Sequence, residues 1–304
     1  MNLLNVSLCG VDFKNPVITA SGTYGFGKDY TDFFPLERLG GISCKGMTLL
    51  PRLGNPPPRI AETASGILNS VGLQNPGVAH FIREDLPWLL AQNTVAIANA
   101  AGSTLEDYVQ NVEQLAQSGV HMIELNISCP NVREGGVAFG TSCANVEKTV
   151  MAVKKVCGAK PLIVKLSPNV TSIVEIARAA ESAGADALSL INTITGMKID
   201  VETHRPILRN NTGGLSGAAV LPVAVRMVWE VRRAVSLPII GMGGVTKWQD
   251  AAELILAGAD AIQIGTACFT NPMAPLEIID GLEAWAEREC CGNISELSGQ
   301  VRAW

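Results

Sequence analysis

Cys129 stands at the end of the run Met122-Ile123-Glu124-Leu125-Asn126 and immediately before Pro130, within ELNISCPNVREGG. A proline drives the residue before it out of the helical region into an extended or turn conformation, so the thiol leaves the strand aimed by its own backbone. With an ordinary pKa of about 8.5, a thiol suits the removal of a proton next to a carbonyl when substrate desolvates it and Ser128 or a water relays the proton. Free cysteine is most often a small buried hydrophobe, so the assignment depends on what surrounds it.

Two lysines close apolar runs in the same manner: Lys45 ends GGISCK and Lys165 ends PLIVK. A single such lysine can snorkel to solvent. A pair at one cavity would instead stabilise negative charge on a reduced flavin or a bound carboxylate, or supply a Schiff-base nucleophile. Gly243-Gly244 in IIGMGGV and Gly265-Thr266 in IQIGTAC offer bare backbone amides of the kind that bind a phosphate dianion. Taken singly these glycines need only permit tight turns. GMGG is not a dinucleotide fingerprint, because G-x-G-x-x-G is missing.

These residues need a scaffold that brings them together. Eight short β-rich runs recur: 16–20, 41–45, 95–99, 122–126, 162–166, 187–192, 238–242 and 261–265. Most are separated by helical patterns. Thr171-Ser172 offers an N-cap, Ile173, Ile176, Ala177 and Ala180 share a face, and Gly184 closes the helix; 219–235, 247–257 and about 275–289 read similarly. Strands apolar throughout imply burial on both faces, and strand-helix alternation implies parallel pairing with right-handed crossovers. The expected fold is an α/β (β/α)8 TIM barrel, a single domain over 1–304, with a doubly wound open sheet as the alternative. A hairpin over 3–14, turning at Cys9-Gly10, would plug one end. The strand ends Ser21, Lys45, Asn99, Asn126, Lys165, Asn192, Gly243 and Gly265 then converge on one mouth, with the seventh and eighth strands at the usual phosphate position. Two long connections, 46–80 and 196–217, read as binding loops or lids, the second ending in a flexible, hydroxyl-bearing TGGLSG.

Composition excludes other classes. Of 304 residues 47% are hydrophobic and 17% charged, the net charge is −5, and no basic run is present, which argues against nucleic acid. No basic leader or membrane-length apolar window is evident, and a cytoplasmic protein is expected. The eight cysteines read as reduced thiols, with Cys290 and Cys291 as ordinary helix-end residues and no C-x-x-C pair. His80, His121 and His204 read as surface or loop residues, and no Ser-His-Asp or zinc constellation is visible.

In order, NPVITASGTYGFG, GNPPPRIAET, LNSVGLQNPG, ELNISCPNV, IVKLSPN, LINT, GGLSG, IIGMGGV and IGTA run through nearly the whole chain. With them the sequence resembles class 1 dihydroorotate dehydrogenases, most closely the catalytic subunit of class 1B. The resemblance implies an FMN-containing barrel that oxidises dihydroorotate to orotate in pyrimidine synthesis. Cys129 would take the proton from substrate carbon 5 while hydride passes from carbon 6 to flavin nitrogen 5. Lys45 would contact flavin and substrate. The substrate would be held by Asn69, Ser70, Val71, Gly72, Leu73, Asn126, Asn131, Asn192 and Thr193. FMN would lie against Ser21, Lys45, Gly46, Asn99, Asn126, Lys165, Ile191, Gly217, Gly243, Gly244, Gly265 and Thr266. Class 2 enzymes use serine as the base, whereas the fumarate-linked class 1A shares the cysteine. ASGTYGFG and AETASGILNSVGLQNPG look like the NAD-linked type, which implies a homodimeric core joined by a subunit carrying FAD and a 2Fe-2S cluster in a heterotetramer. The chain's lack of a dinucleotide fingerprint and of clustered cysteines fits a need for that partner. A flavin-free Schiff-base lyase using Lys165 or Lys45, and a non-enzymatic phospholigand scaffold, remain as alternatives.

Overall fold

A computed structural model of the chain describes residues 3–128 and 137–304. Eight parallel strands close into a barrel: β1 (Val17–Thr19), β2 (Gly41–Ser43), β3 (Val95–Ala100), β4 (Met122–Asn126), β5 (Leu162–Lys165), β6 (Ala187–Leu190), β7 (Ile239–Met242) and β8 (Ala261–Ile264). Each pairs with its sequence neighbours, and β8 pairs with β1 to complete the ring. All eight expected strands are present and the open-sheet alternative falls. Every residue of these strands is buried, since one face packs into the barrel and the other against helices.

The helices form where caps and apolar spacing coincide. Ser172 accepts from the Glu175 amide and starts Ile173–Ser182, whose buried face is Ile173, Ile176, Ala177, Ala179 and Ala180. Thr104 and Asp107 form a reciprocal capping box on Leu105–Ala116, which buries Tyr108, Val112 and Leu115. Leu221–Arg232, Trp248–Ala257 and Ala274–Arg288 occupy the other expected helical segments, and Cys290 and Cys291 follow the end of the last.

Val6–Leu8 and Val11–Phe13 make the antiparallel hairpin, turning through Cys9 and Gly10, both with positive φ. It closes the amino end of the barrel. Phe13 packs where a Cβ on Gly41 would stand 3.2 Å from its ring, and the Cys9 thiol donates to the Asp186 carbonyl just before β6.

The two long connections are more ordered than expected. Ile60–Thr63 and Gly66–Asn69 from the first, with Ile194–Gly196 and Gly213–Ser216 from the second, form one four-stranded antiparallel sheet. TGGLSG is therefore strand, not a flexible tether. Its glycines serve close approach: a Cβ on Gly213 would lie 2.5 Å from Leu208 and 2.6 Å from the Asn69 carbonyl oxygen. No helix among the described residues is long and apolar enough to cross a membrane.

Candidate active site

Barrel register decides which strand-end groups meet. On β4, Asn126 stands beside Lys165 of β5, and Glu124 stands beside Asn99 of β3. Met122, Glu124 and Asn126 share one face by the two-residue period of a strand. Asn126 reaches the cavity above, while Glu124 lies wholly inside the barrel.

The cavity opens at the carboxyl ends of the strands. Of the residues expected there, Ser21, Lys45, Gly46, Asn69, Val71, Gly72, Leu73, Asn126, Lys165, Ile191, Asn192, Thr193, Gly217, Gly243, Gly244, Gly265 and Thr266 all line it. Asn99 and Ser70 are fully buried and do not line it. Asn99 is tied to Asn126 and Glu124, and the Ser70 hydroxyl has no partner among the described residues. Cys129 and Asn131 lie outside the described residues. Their neighbour Ser128 is fully buried, accepts from Asn192 Nδ2 at 2.7 Å and donates to Asn126 Oδ1 at 3.1 Å, so β4 leaves the barrel beside two cavity-lining amides. None of the three histidines lines the cavity.

The wall formed by LNSVGLQNPG is held by its own amides. Asn75 accepts from the backbone of Thr48 and Gly77 and donates to the Leu73 carbonyl, while Asn55 donates to the Ser70 carbonyl. Leu73 itself has φ of 57°, a conformation that costs a branched-chain residue roughly 1–3 kcal/mol and that these bonds sustain at the cavity wall.

Three glycines among the lining residues form a cradle. Gly217, Gly243 and Gly244 have φ of 106°, 122° and 81°. A Cβ on Gly217 would meet the Gly66 Cα at 2.5 Å, and one on Gly244 would meet the Leu221 backbone nitrogen at 2.6 Å. Thr266 donates to Ser216 nearby. Bare amides at this place suit a phosphate.

Lys45 and Lys165 both face the same cavity. Burial, then Arg59, hold the Lys45 ammonium below the ordinary lysine range. Lys165 is 5% exposed and donates to Ser21 Oγ at 3.2 Å. Beneath it lies a feature that sequence reading missed by treating 122–125 as an apolar run. Ser43, Glu124, Ser189 and Gln263, one from each even-numbered strand, form a polar layer where barrels normally stack branched apolar side chains. Glu124 Oε2 accepts from Ser43 at 2.9 Å and Asn99 at 2.6 Å; Oε1 accepts from Ser189 at 2.8 Å and Gln263 at 2.9 Å. Burial pushes this carboxyl up, but Lys165 and the hydrogen bonds together outweigh it and hold the group below its usual range. An ionisable residue centred in an otherwise apolar strand was the available signal. Lys165→Ala is expected to lower stability by roughly 3 kcal/mol, because it leaves a buried carboxylate without its nearby cation. A urea midpoint unchanged from the parent would show that the two charges do not interact.

The residues present fit a phosphorylated, heteroatom-rich cofactor. The cavity lining combines glycines that offer bare backbone with Lys45, Lys165 and Gln263, whose Oε1 has no partner among the described residues. The family model for dihydroorotate dehydrogenase matches residues 3–285. The chain belongs to the dihydroorotate dehydrogenase family. Among its curated relatives is a protein of Petrotoga mobilis, 53% identical over 97% of this chain and 98% of its own length, named as the catalytic subunit of dihydroorotate dehydrogenase B (NAD(+)). Proteins of the same name in Alkaliphilus metalliredigens and Bacteroides fragilis are 52% and 53% identical, each over 98% of both chains. As a dihydroorotate dehydrogenase family member the chain is an oxidoreductase, and the Schiff-base and scaffold readings of its lysines give way.

Proposed function

We propose that this chain is the FMN-binding catalytic subunit of an NAD-linked dihydroorotate dehydrogenase, a single-domain cytoplasmic protein that oxidises dihydroorotate to orotate in pyrimidine synthesis. The observation that carries the reading is full-length similarity to NAD(+)-type catalytic subunits in a chain whose cavity joins a glycine cradle to two lysines. When bound, FMN supplies the hydride acceptor. Gly217, Gly243, Gly244, Gly265 and Thr266 would hold its phosphate, and Ser21, Lys45, Gly46, Asn126, Lys165 and Ile191 would surround the remainder, with Asn99 supporting Asn126 from behind. The Lys165 ammonium, kept in place by Ser21 and balanced from below by Glu124, favours the build-up of negative charge in the site.

On the substrate side, Asn69, Val71, Gly72 and Leu73 form one wall with Ser70 buried behind it, and Asn126, Asn131, Asn192 and Thr193 would supply amide and hydroxyl contacts. Lys45 faces the substrate carboxylate and carbonyls. Cys129 removes the proton from carbon 5, and its place in ELNISCPN, next to the Ser128–Asn192 contact, supports that role.

Since burial, then Arg59, lower the Lys45 pKa, the attraction of its ammonium for orotate is lost as pH rises through that lowered value, earlier than for an ordinary lysine. Orotate titrations across a wide pH range should show this limb in the parent and not in Lys45→Met; the same limb in both would remove Lys45 from anion binding.

Electrons bound for NAD leave through a partner subunit carrying FAD and a 2Fe-2S cluster, with two catalytic chains at the core of a heterotetramer. Among the described residues no group of three or more His, Cys, Asp or Glu side chains is placed to hold a metal. The test is acceptor use. The isolated chain should not reduce NAD until an iron-sulfur flavoprotein is added; brisk turnover of fumarate by the isolated chain would instead place it with the class 1A enzymes.

A further inference from the structure

We propose that Asn169, which does not line the cavity, is a positioning residue whose carboxamide fastens the 193–195 segment to the barrel rim and so aims the Thr193 hydroxyl at the ligand. The inference rests on the function proposed above for the ligand's identity. Asn169 follows β5, in the loop that leads to Ile173–Ser182. Its Oδ1 accepts from the Thr195 amide at 2.9 Å, and its Nδ2 donates to the Thr193 carbonyl at 2.9 Å and to Ser167 Oγ at 3.3 Å. The two backbone groups cannot exchange roles, since an N–H only donates and a carbonyl only accepts. One side chain must therefore offer an acceptor and a donor at once to residues two apart on the same segment. A carboxamide does so, whereas an ionised carboxylate has no proton to give. The anchor is firm, because Ser167 is fully buried and its Oγ also accepts from the Asn169 amide at 3.2 Å.

The fastened segment is where the chain leaves β6 and becomes the edge strand of the sheet over the mouth. Ile194–Gly196 pairs with Gly213–Ser216, Thr195 opposite Gly214, and the Thr195 N–H goes to Asn169 instead of to that strand. Thr193, which lines the cavity, is thereby fixed at three points. Asn169 holds its carbonyl, Asn192 Oδ1 accepts from its amide at 2.7 Å, and its side chain lies against Gly214, where an added Cβ would stand 2.0 Å from Thr193 Oγ1. The Thr193 hydroxyl has no hydrogen-bond partner among the described residues, so its capacity is left for a ligand. Such a contact tolerates only about 0.5 Å of error, and the bonds of Asn169 remove that freedom.

The test uses the FMN-loaded protein and orotate, whose binding is read from the change in flavin absorption. Asn169→Ala is expected to weaken orotate binding about tenfold, the scale of one hydrogen bond, with FMN content and melting temperature near the parent's. In a Thr193→Val background the same change should cost no more than about twofold, because the contact it aims is already gone. Orotate affinity within about twofold of the parent in Asn169→Ala, or losses that multiply in the double variant, would overturn the proposal. Should Asn169→Ala not retain FMN, Asn169→Asp decides, since it keeps the acceptor for Thr195 and withdraws the donor from Thr193. An orotate loss of about tenfold there supports the inference, and parent-like affinity overturns it. If the parent holoenzyme itself binds no orotate, the proposed function falls. The role of Asn169 is still decided without ligand by amide hydrogen exchange. In Asn169→Ala the Thr195 and Thr193 amides should both exchange about tenfold faster, the second because a released carbonyl lets Thr193 part from Asn192. Faster exchange at Thr195 alone would show a bond that positions nothing and would refute the inference.

Discussion

Serine in place of Cys129 is expected to slow flavin reduction by dihydroorotate about 10²- to 10⁴-fold at neutral pH, the span that general-base catalysis contributes. The replacement is nearly isosteric and puts a hydroxyl in place of the thiol in the sequence context ELNISCPN. What it changes is acidity. A thiol with an ordinary pKa of about 8.5 yields a usable thiolate population near neutrality, whereas an aliphatic alcohol does not. FMN content and orotate affinity should stay near the parent's, since the glycine cradle and both lysines are untouched. Anaerobic stopped-flow reduction would separate the cases. A rate within a few-fold of the parent, with flavin bound, would remove Cys129 from proton transfer.

The second large effect is expected at Gly244. Its φ of 81° disfavours any side chain, and an added Cβ would stand 2.6 Å from the Leu221 nitrogen and 2.8 Å from the Leu221 Cα. Leu221 begins a helix, so the neighbour that must yield is backbone. Gly244→Ala is therefore expected to displace the cradle and weaken FMN retention by about 10²-fold, the equivalent of about 2.7 kcal/mol and near the top of the range for such strain. Gly265→Ala is the control. There a Cβ would meet the Ala20 Cβ at 3.4 Å and Thr23 Cγ2 at 3.5 Å, ordinary contacts, so the fold should keep its melting temperature. Flavin content after gel filtration measures both. Full retention by Gly244→Ala would show that this turn does not hold the phosphate.

The barrel was legible because its signals are local. Runs such as VAIANA at 95–100 and LIVK at 162–165 are buried on both faces, and the caps at Thr104 and Ser172 start helices through bonds within a few residues. Once eight such units close in order, the strand-end residues Ser21, Lys45, Asn126, Lys165 and Asn192 can only meet at one mouth. The four-stranded sheet over that mouth was not legible. Its strands are three or four residues of glycine-rich or alternating sequence, and Gly66–Asn69 pairs with Gly213–Ser216 some 150 positions away, a partner no local pattern reveals. The polar layer was hidden for a related reason. Glu124 looks like an interruption in an apolar strand until closure brings Ser43, Ser189 and Gln263 around it from three other strands.

The claim on which the rest depends is that one cavity holds flavin and dihydroorotate together. Anaerobic addition of dihydroorotate to the purified chain tests it in a single titration. The protein should be yellow, its visible flavin band should bleach in proportion to dihydroorotate added, and orotate and FMN should be recovered after denaturation. A colourless protein that takes up no FMN, or a bound flavin that dihydroorotate leaves oxidised, would contradict the account.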